Sequence, residues 1–273
     1  SEGAPSCASR TTLWSNVLDL IRLEPWRGWG WGRLDYAHFA TLYDAPRFCD
    51  ILDNAHNLPL HLAVELGLPV ALILCGVALW AVLRLQPWRE ADALRQLAWA
   101  VLAVIGLHSL LEYPLWYGPF QMTAGICLGL LVGVPQSGSR RPLAALVLAV
   151  PLAAGIGLCA LDYQRARQIY LSPEERGAAF ADQTLEKTRE AWIFRDQVLF
   201  AELTTTPLER VNAEWTRAAA TTLLRFSPEP RVIEKAVESA VMLGRDDEAL
   251  QLLARFRAAF PKEHADWAAA LRK

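Results

Sequence analysis

Apolar positions crowd into long runs through the middle third of the chain and thin out toward both ends. Four segments qualify as membrane spans: Gly67–Leu83, Leu97 to about Leu111, Phe120–Val134 and Leu143–Leu161. A crossing helix needs about 20 apolar residues, and shorter ones are accommodated where the bilayer thins. The second and third are short and joined through Pro114 and Pro119, which predicts a tight re-entry in place of a long loop. Pro151 predicts a kink in the fourth. Before the spans, Leu13, Val17, Leu20 and Ile21 share one face of a helix predicted over residues 11–24, with Thr11 or Thr12 as its N-cap. After Asp162 the chain turns charged and alanine-rich with helical periodicity. Asp162 to about Ile169 extends the fourth span, and Pro173 breaks it. Three to five helices follow.

In the last of these, Gly244, Ala249 and Pro261 fall at tetratricopeptide-like spacing: a turn glycine, a small residue at a helix crossing and a terminating proline. One repeat is visible where a stable array takes about three, so a generic helical hairpin bundle fits nearly as well. The predicted fold is all-α: a polytopic helical membrane protein fragment with a large extracytoplasmic loop (1–66), four transmembrane helices (67–161) and a C-terminal soluble, TPR-like helical domain (162–273).

The connections orient these elements. Arg84, Arg89 and Arg95 lie between spans one and two, and Arg140 and Arg141 between spans three and four. Short arginine-bearing loops stay cytoplasmic. Residues 1–66, the His108–Phe120 segment and everything after Asp162 then lie on the opposite side, the periplasm of a Gram-negative cell. Composition agrees. The chain is 53% hydrophobic, too apolar for an ordinary soluble domain, and its net charge of −2 gives no case for nucleic-acid binding. Its eleven tryptophans suit a membrane–water interface. The chain opens at Ser1 with no initiator methionine or signal peptide, as expected of a piece of a larger membrane protein. The five cysteines show no metal-type spacing. Cys75, Cys127 and Cys159 lie in apolar runs; Cys7 and Cys49 are free to pair in an oxidising compartment.

Two stretches carry candidate chemistry. The first is His108-Ser-Leu-Leu-Glu-Tyr-Pro-Leu-Trp-Tyr-Gly-Pro-Phe120, where His108 and Glu112 are spaced to meet on one helical face at the end of a span. Ionisable residues there are costly and so are functional candidates. The alternative is that they brace span two against the loop by a hydrogen bond. The second stretch combines Arg10, the turn Trp26-Arg-Gly-Trp-Gly-Trp-Gly32, and His56-Asn57. Arginine grips phosphate bidentately, glycines let backbone N–H groups approach an anion, and histidine can act as a general base. At a membrane surface these parts suit a lipid-linked phosphate or diphosphate. Taken singly, each has a plainer reading: a turn, a solvated arginine, a hydrogen-bonded loop histidine. His61 is expected at the interface, and His38 and His264 in solvent.

Arg10…Leu13-Trp14, Gly28-Trp-Gly-Trp-Gly32, His56-Asn57-Leu58 and Glu65-Leu-Gly-Leu-Pro69 together resemble the large periplasmic loop of the O-antigen ligase and polymerase superfamily. The HSLLEYPLWYGPF run is similar to the narrower signature of bacterial protein O-oligosaccharyltransferases, the pilin-type glycosylation ligases. Pro59 departs from the bulky residue more usual in the family at that place.

The resemblance implies a metal-independent inner-membrane glycosyltransferase without cofactor, its active site facing the periplasm. It would move a preassembled oligosaccharide from undecaprenyl-diphosphate to a Ser or Thr hydroxyl of a pilin-like protein. It also implies roles: His56 as general base or donor-orienting residue, Arg10 as diphosphate clamp, Tyr113 lining the site, and Asn57, Arg27, Gly28, Gly30, His108 and Glu112 around the substrates. Two rivals are an O-antigen ligase acting on lipid A–core and a non-enzymatic membrane scaffold whose helical domain binds partners.

Overall fold

The apolar face predicted for residues 11–24 is buried. In a computed structural model that describes residues 6–132 and 141–272, helix α1 (Arg10–Leu23) places Leu13, Val17, Leu20 and Ile21 in the core. Its N-cap is Ser9, two to three residues earlier than predicted: the Ser9 hydroxyl accepts from Thr12 N–H at 3.2 Å. Arg10 is therefore the first helical residue and not the one before the helix. Among the described residues there are thirteen α-helices and no strand, so the chain is all-helical.

The chain divides into two compact units, essentially residues 1–135 and 136–273. In the first, α2 (Leu34–Ala40), α3 (Leu58–Leu66) and the loop between them pack on α1 through Leu34, Ala37, Phe48, Leu52, Ala55, Ala63 and Val64. Cys7 and Cys49 form a disulfide that ties the start of α1 to this loop. Buried Asn16 adds a second tie, donating to Pro46 C=O at 3.1 Å and accepting from Phe48 N–H at 2.7 Å.

The first predicted span is α4 (Leu68–Leu85), which with the short turn to Arg89 is long and apolar enough to cross a membrane. The second and third correspond to shorter apolar helices, α5 (Ala93–His108) and α6 (Gly118–Val132), packed on each other. Arg95 closes the far end of this pair: its Nη1 donates to Leu131 C=O of α6 at 2.8 Å. The end of the third predicted span, at Val134, and the Arg140 side of the following loop lie outside the described residues.

In the second unit, α7 (Arg141–Ala166) runs through Pro151 and covers the fourth predicted span. Its end is anchored by Asp162, which is buried and accepts N–H bonds from Trp192, Ile193 and Phe194 at 2.8–3.3 Å. A carboxylate aimed at several backbone donors is well placed at the start of a helix, here α9 (Arg195–Thr205), which follows the single turn α8 (Thr184–Thr188). Then come α10 (Ala213–Leu224), α11 (Pro230–Met242), α12 (Asp246–Ala259) and α13 (Pro261–Ala270). Gly244 sits at φ +70° in the α11–α12 turn, a left-handed conformation that glycine adopts without steric cost. Ala249 is buried and Pro261 opens α13.

Candidate active site

The Gly-Trp turn is built against the end of α3. Trp29 N–H and Gly30 N–H donate to Val64 C=O and Glu65 C=O, both at 2.9 Å, and Gly28 N–H donates to Glu24 C=O at 3.1 Å. These bonds absorb carbonyls that a helix end leaves unpaired. Gly28 (φ +64°) and Gly67 (φ +84°) face each other's strands of backbone so closely that a Cβ on either would collide with main chain. The expectation that Gly28 and Gly30 offer N–H groups to an anion is thus corrected: those donors are already taken, and the glycines serve close backbone packing. Arg27 is exposed in the same turn and forms no ion pair with the cluster described next.

That cluster centres on Glu112. Helix α5 stops at His108, with Ser109 N–H closing on Ile105 C=O, and the chain turns before reaching Glu112. The predicted His108–Glu112 side-chain pair therefore does not form. His108 is exposed and meets the Phe120 ring edge-on at 5.7 Å. Glu112 instead reaches the N-terminal loop. Its Oε1 pairs with Arg10 Nη2, and its Oε2 lies 2.7 Å from His56 Nδ1. Partial burial pushes the Glu112 carboxyl up. The His56 hydrogen bond and charge, joined by Arg10, outweigh that and hold it below the usual carboxylate range.

An ionised carboxylate only accepts, so His56 Nδ1 carries the proton in this bond. In the neutral ring Nε2 is then the lone-pair nitrogen. The site is half-open: side-chain exposures are 48% for Arg10, 29% for His56 and 36% for Glu112.

The backbone over-determines this geometry. His56 sits at φ +49°, a left-handed conformation uncommon outside glycine. Asn54 Oδ1 supports it by accepting His56 N–H at 2.9 Å. Trp14 Nε1–H donates to Ala55 C=O at 3.0 Å from α1. Asn57 caps α3 by accepting Leu60 N–H, and its Nδ2 donates to Leu110 C=O at 3.0 Å; Leu58 N–H donates to Ser109 C=O at 2.7 Å. Strained residues held by their surroundings cluster at functional sites.

Tyr113 lies against the His56 ring, edge-on at 4.9 Å, and stacks on Tyr117 at 5.5 Å. A hydrogen bond with Tyr117, with burial adding, pushes its hydroxyl up to about 12. Among the predicted site residues, the structure thus joins Arg10, His56, Asn57, Glu112 and Tyr113. Arg27, Gly28, Gly30 and His108 stand apart from that group.

Two histidines differ from expectation. His61 is buried, not interfacial: Nδ1 accepts Ala55 N–H at 3.4 Å, and Nε2 is 3.3 Å from Glu65 Oε2. That approach is close but not aligned as a hydrogen bond; Oε1 of Glu65 accepts Arg33 N–H at 3.2 Å. The stacked pair Trp31–Trp116 lies beside it, with the Trp116 ring 4.8 Å from the His61 ring. His38 is also buried and not solvated, bonded to Tyr43 Oη at 2.8 Å and to Phe48 C=O at 3.1 Å. His264 is partly exposed against Phe256.

Among the described residues no group of His, Cys, Asp and Glu is arranged to hold a metal ion.

The family described as "Virulence factor membrane-bound polymerase, C-terminal" matches residues 96–273, and the family described as "O-Antigen ligase" matches residues 1–75. The chain belongs to the membrane-bound polymerase family of the O-antigen ligase superfamily. Both halves of the cluster fall inside the matches: Arg10 and His56 in the ligase segment, Glu112 and Tyr113 in the polymerase segment. The chain is 27% identical over 164 residues to the General O-oligosaccharyltransferase of Acinetobacter baylyi, covering 60% of this chain and 28% of that protein. It is 28% identical over 122 residues to the ComP-specific O-oligosaccharyltransferase of the same organism, covering 45% of this chain and 22% of that protein. The chain spans under a third of the length of these relatives. No solved structure matches it.

Proposed function

We propose that this chain carries the periplasm-facing transfer site of an inner-membrane oligosaccharyltransferase. The enzyme moves a preassembled glycan from undecaprenyl-diphosphate to Ser or Thr hydroxyls of a pilin-like protein. The observation that carries the reading is the convergence of Arg10 and His56, far apart in sequence, on one carboxylate at the end of α5. The similarity to two O-oligosaccharyltransferases supports the reaction class and the protein acceptor.

The chemistry follows from the side chains. Arg10 grips the donor diphosphate and offsets the charge that develops as the sugar–oxygen bond breaks. His56 Nε2 takes the proton of the acceptor hydroxyl as its oxygen bonds to the sugar carbon, and undecaprenyl diphosphate departs. The sugar carbon passes through an oxocarbenium-like state, as in glycoside hydrolysis. Tyr113 lines the site beside the base, and the helices after Asp162 contact the acceptor. Helices α4 to α7 cross the membrane, with residues up to 66 and after 162 on the periplasmic side.

The test is to express the full-length protein in a glycosylation-deficient host with a lipid-linked glycan and a pilin-like acceptor, and to weigh the acceptor intact. Glycan on the acceptor is the expected result. Glycan only on lipid A–core instead supports the O-antigen ligase reading, which the match over residues 1–75 favours. Glycan on neither ends both. A periplasm-only reporter fused after residue 165 is expected to be active; silence overturns the orientation.

A further inference from the structure

We propose that Glu112 is a positioning residue with two alternating duties: it fixes the working tautomer of His56, and it occupies Arg10 until the donor diphosphate takes that arginine away. The inference rests on the transfer reading above. Its basis is geometric. Glu112 has two oxygens and divides them, Oε1 to Arg10 and Oε2 to His56 Nδ1 at 2.7 Å. His56 Nε2 is left with no hydrogen-bond partner among the described residues, on a side chain that is 29% exposed. A base whose other nitrogen is pinned by a carboxylate is held in one tautomer and one ring orientation, as the third member of a catalytic triad does for its histidine.

The Arg10 contact is different in kind. It joins two half-exposed groups, and such ion pairs stabilise by about 0.2–1 kcal/mol. A diphosphate presents more charge and more acceptor oxygens to the same guanidinium fork. It therefore displaces Glu112 from Arg10. The Glu112 carboxylate then belongs to His56 alone, so donor binding completes the base. Before the donor arrives, the carboxylate keeps Arg10 extended from the first turn of α1 and partly neutralised.

The two duties predict opposite effects from one substitution. In Glu112→Gln, Arg10 loses its competitor and His56 loses its anionic partner. With the purified full-length enzyme, a lipid-linked glycan and an acceptor protein, kcat is expected to fall about 10²- to 10³-fold. The donor KM is expected to fall about two- to fivefold, the fold-change equivalent of an exposed ion pair. The KM gain vanishes in Arg10→Ala/Glu112→Gln. A merely structural Glu112 would raise donor KM as it lowers kcat, and an idle one would change neither; either result overturns the proposal.

A second readout needs no turnover. In wild-type protein with nitrogen-15 histidine, the resonances of His56, assigned by their loss in His56→Gln, are expected to show a protonated Nδ1 and an unprotonated Nε2. The reverse tautomer overturns the proposal even if Glu112→Gln does not fold. If wild type transfers nothing but shows the expected tautomer, the transfer reading fails while the Glu112–His56 geometry stands.

Discussion

His56 reaches a glutamate 56 residues along the chain, whereas His61 reaches one four residues along its own helix. The two histidines are separated by less than two turns of backbone, and each has one nitrogen committed to the local frame. Their surroundings set them apart. The His61–Glu65 pair is about 2% exposed, packed beneath Trp116 and Trp31, and its nitrogens face a backbone N–H and a buried carboxylate. The His56–Glu112 pair is about one-third exposed, sits on a left-handed residue, and leaves Nε2 without a hydrogen-bond partner among the described residues. A histidine buried in the interior, with one nitrogen bonded to a backbone N–H, can hold elements together. One with a single nitrogen pinned and the other open can do proton chemistry. On the proposed reading, His61 belongs to the architecture and His56 to transfer.

That assignment breaks first at His61. His61→Ala opens a buried cavity and removes the ring nitrogen 3.3 Å from Glu65 Oε2, with an expected cost of about 2–5 kcal/mol. Thermal melting of the full-length protein checks it. The transfer rate per folded molecule should stay close to wild type, and a rate collapse without a lowered melting point would erase the distinction.

Next in size is the frame on the His56 side. Cys7→Ser opens the disulfide that fixes the start of α1 three residues before Arg10. It is expected to destabilise the loop by about 2–4 kcal/mol, seen as earlier proteolysis of residues 1–66. Reductant should reproduce the effect in wild type but not in the variant.

A third effect, confined to acid pH, concerns His38, a second architectural histidine. Burial, with the Arg47 charge adding to it, pushes His38 down to about 3 from its ordinary 6.5. Between those values the unfolded chain binds a proton that the native loop refuses. Stability is therefore complete above about 6.5 and is lost as pH falls toward 3. The melting point of wild type should decline over that window, and His38→Gln should flatten the decline. An unchanged slope would place His38 in solvent.

What could be read in advance follows physical lines. The α1 face, the α4 span and the helical tail were legible because periodicity and apolar length are local properties. Arg10, His56 and Tyr113 were legible as residues, through resemblance, but their meeting point was not. Glu112 was expected either to meet His108, since four-residue spacing pairs side chains on a continuing helix, or to brace the span against the loop by a hydrogen bond; it does the second. The helix ends at His108, and that ending frees Glu112 to turn to the loop. The glycines of the Gly-Trp turn announced a close backbone approach without revealing that the partner was the α3 terminus rather than a phosphate. Burial of His38 and His61 depends on packing between separated segments, to which single positions are blind. Two local signals were available: Asn54 two residues before His56, which supports the left-handed turn, and Glu65 four residues after His61.

The central claim is that His56 and Arg10 act on the substrates while His61 does not. Its most direct test is the single-turnover transfer rate of His56→Ala, Arg10→Ala and His61→Ala, each at a matched concentration of folded full-length protein, read by intact mass of the acceptor. The account predicts losses of about 10²- to 10⁴-fold for His56→Ala and Arg10→Ala, with His61→Ala within a few-fold of wild type. Transfer that persists in His56→Ala and fails in His61→Ala would contradict it.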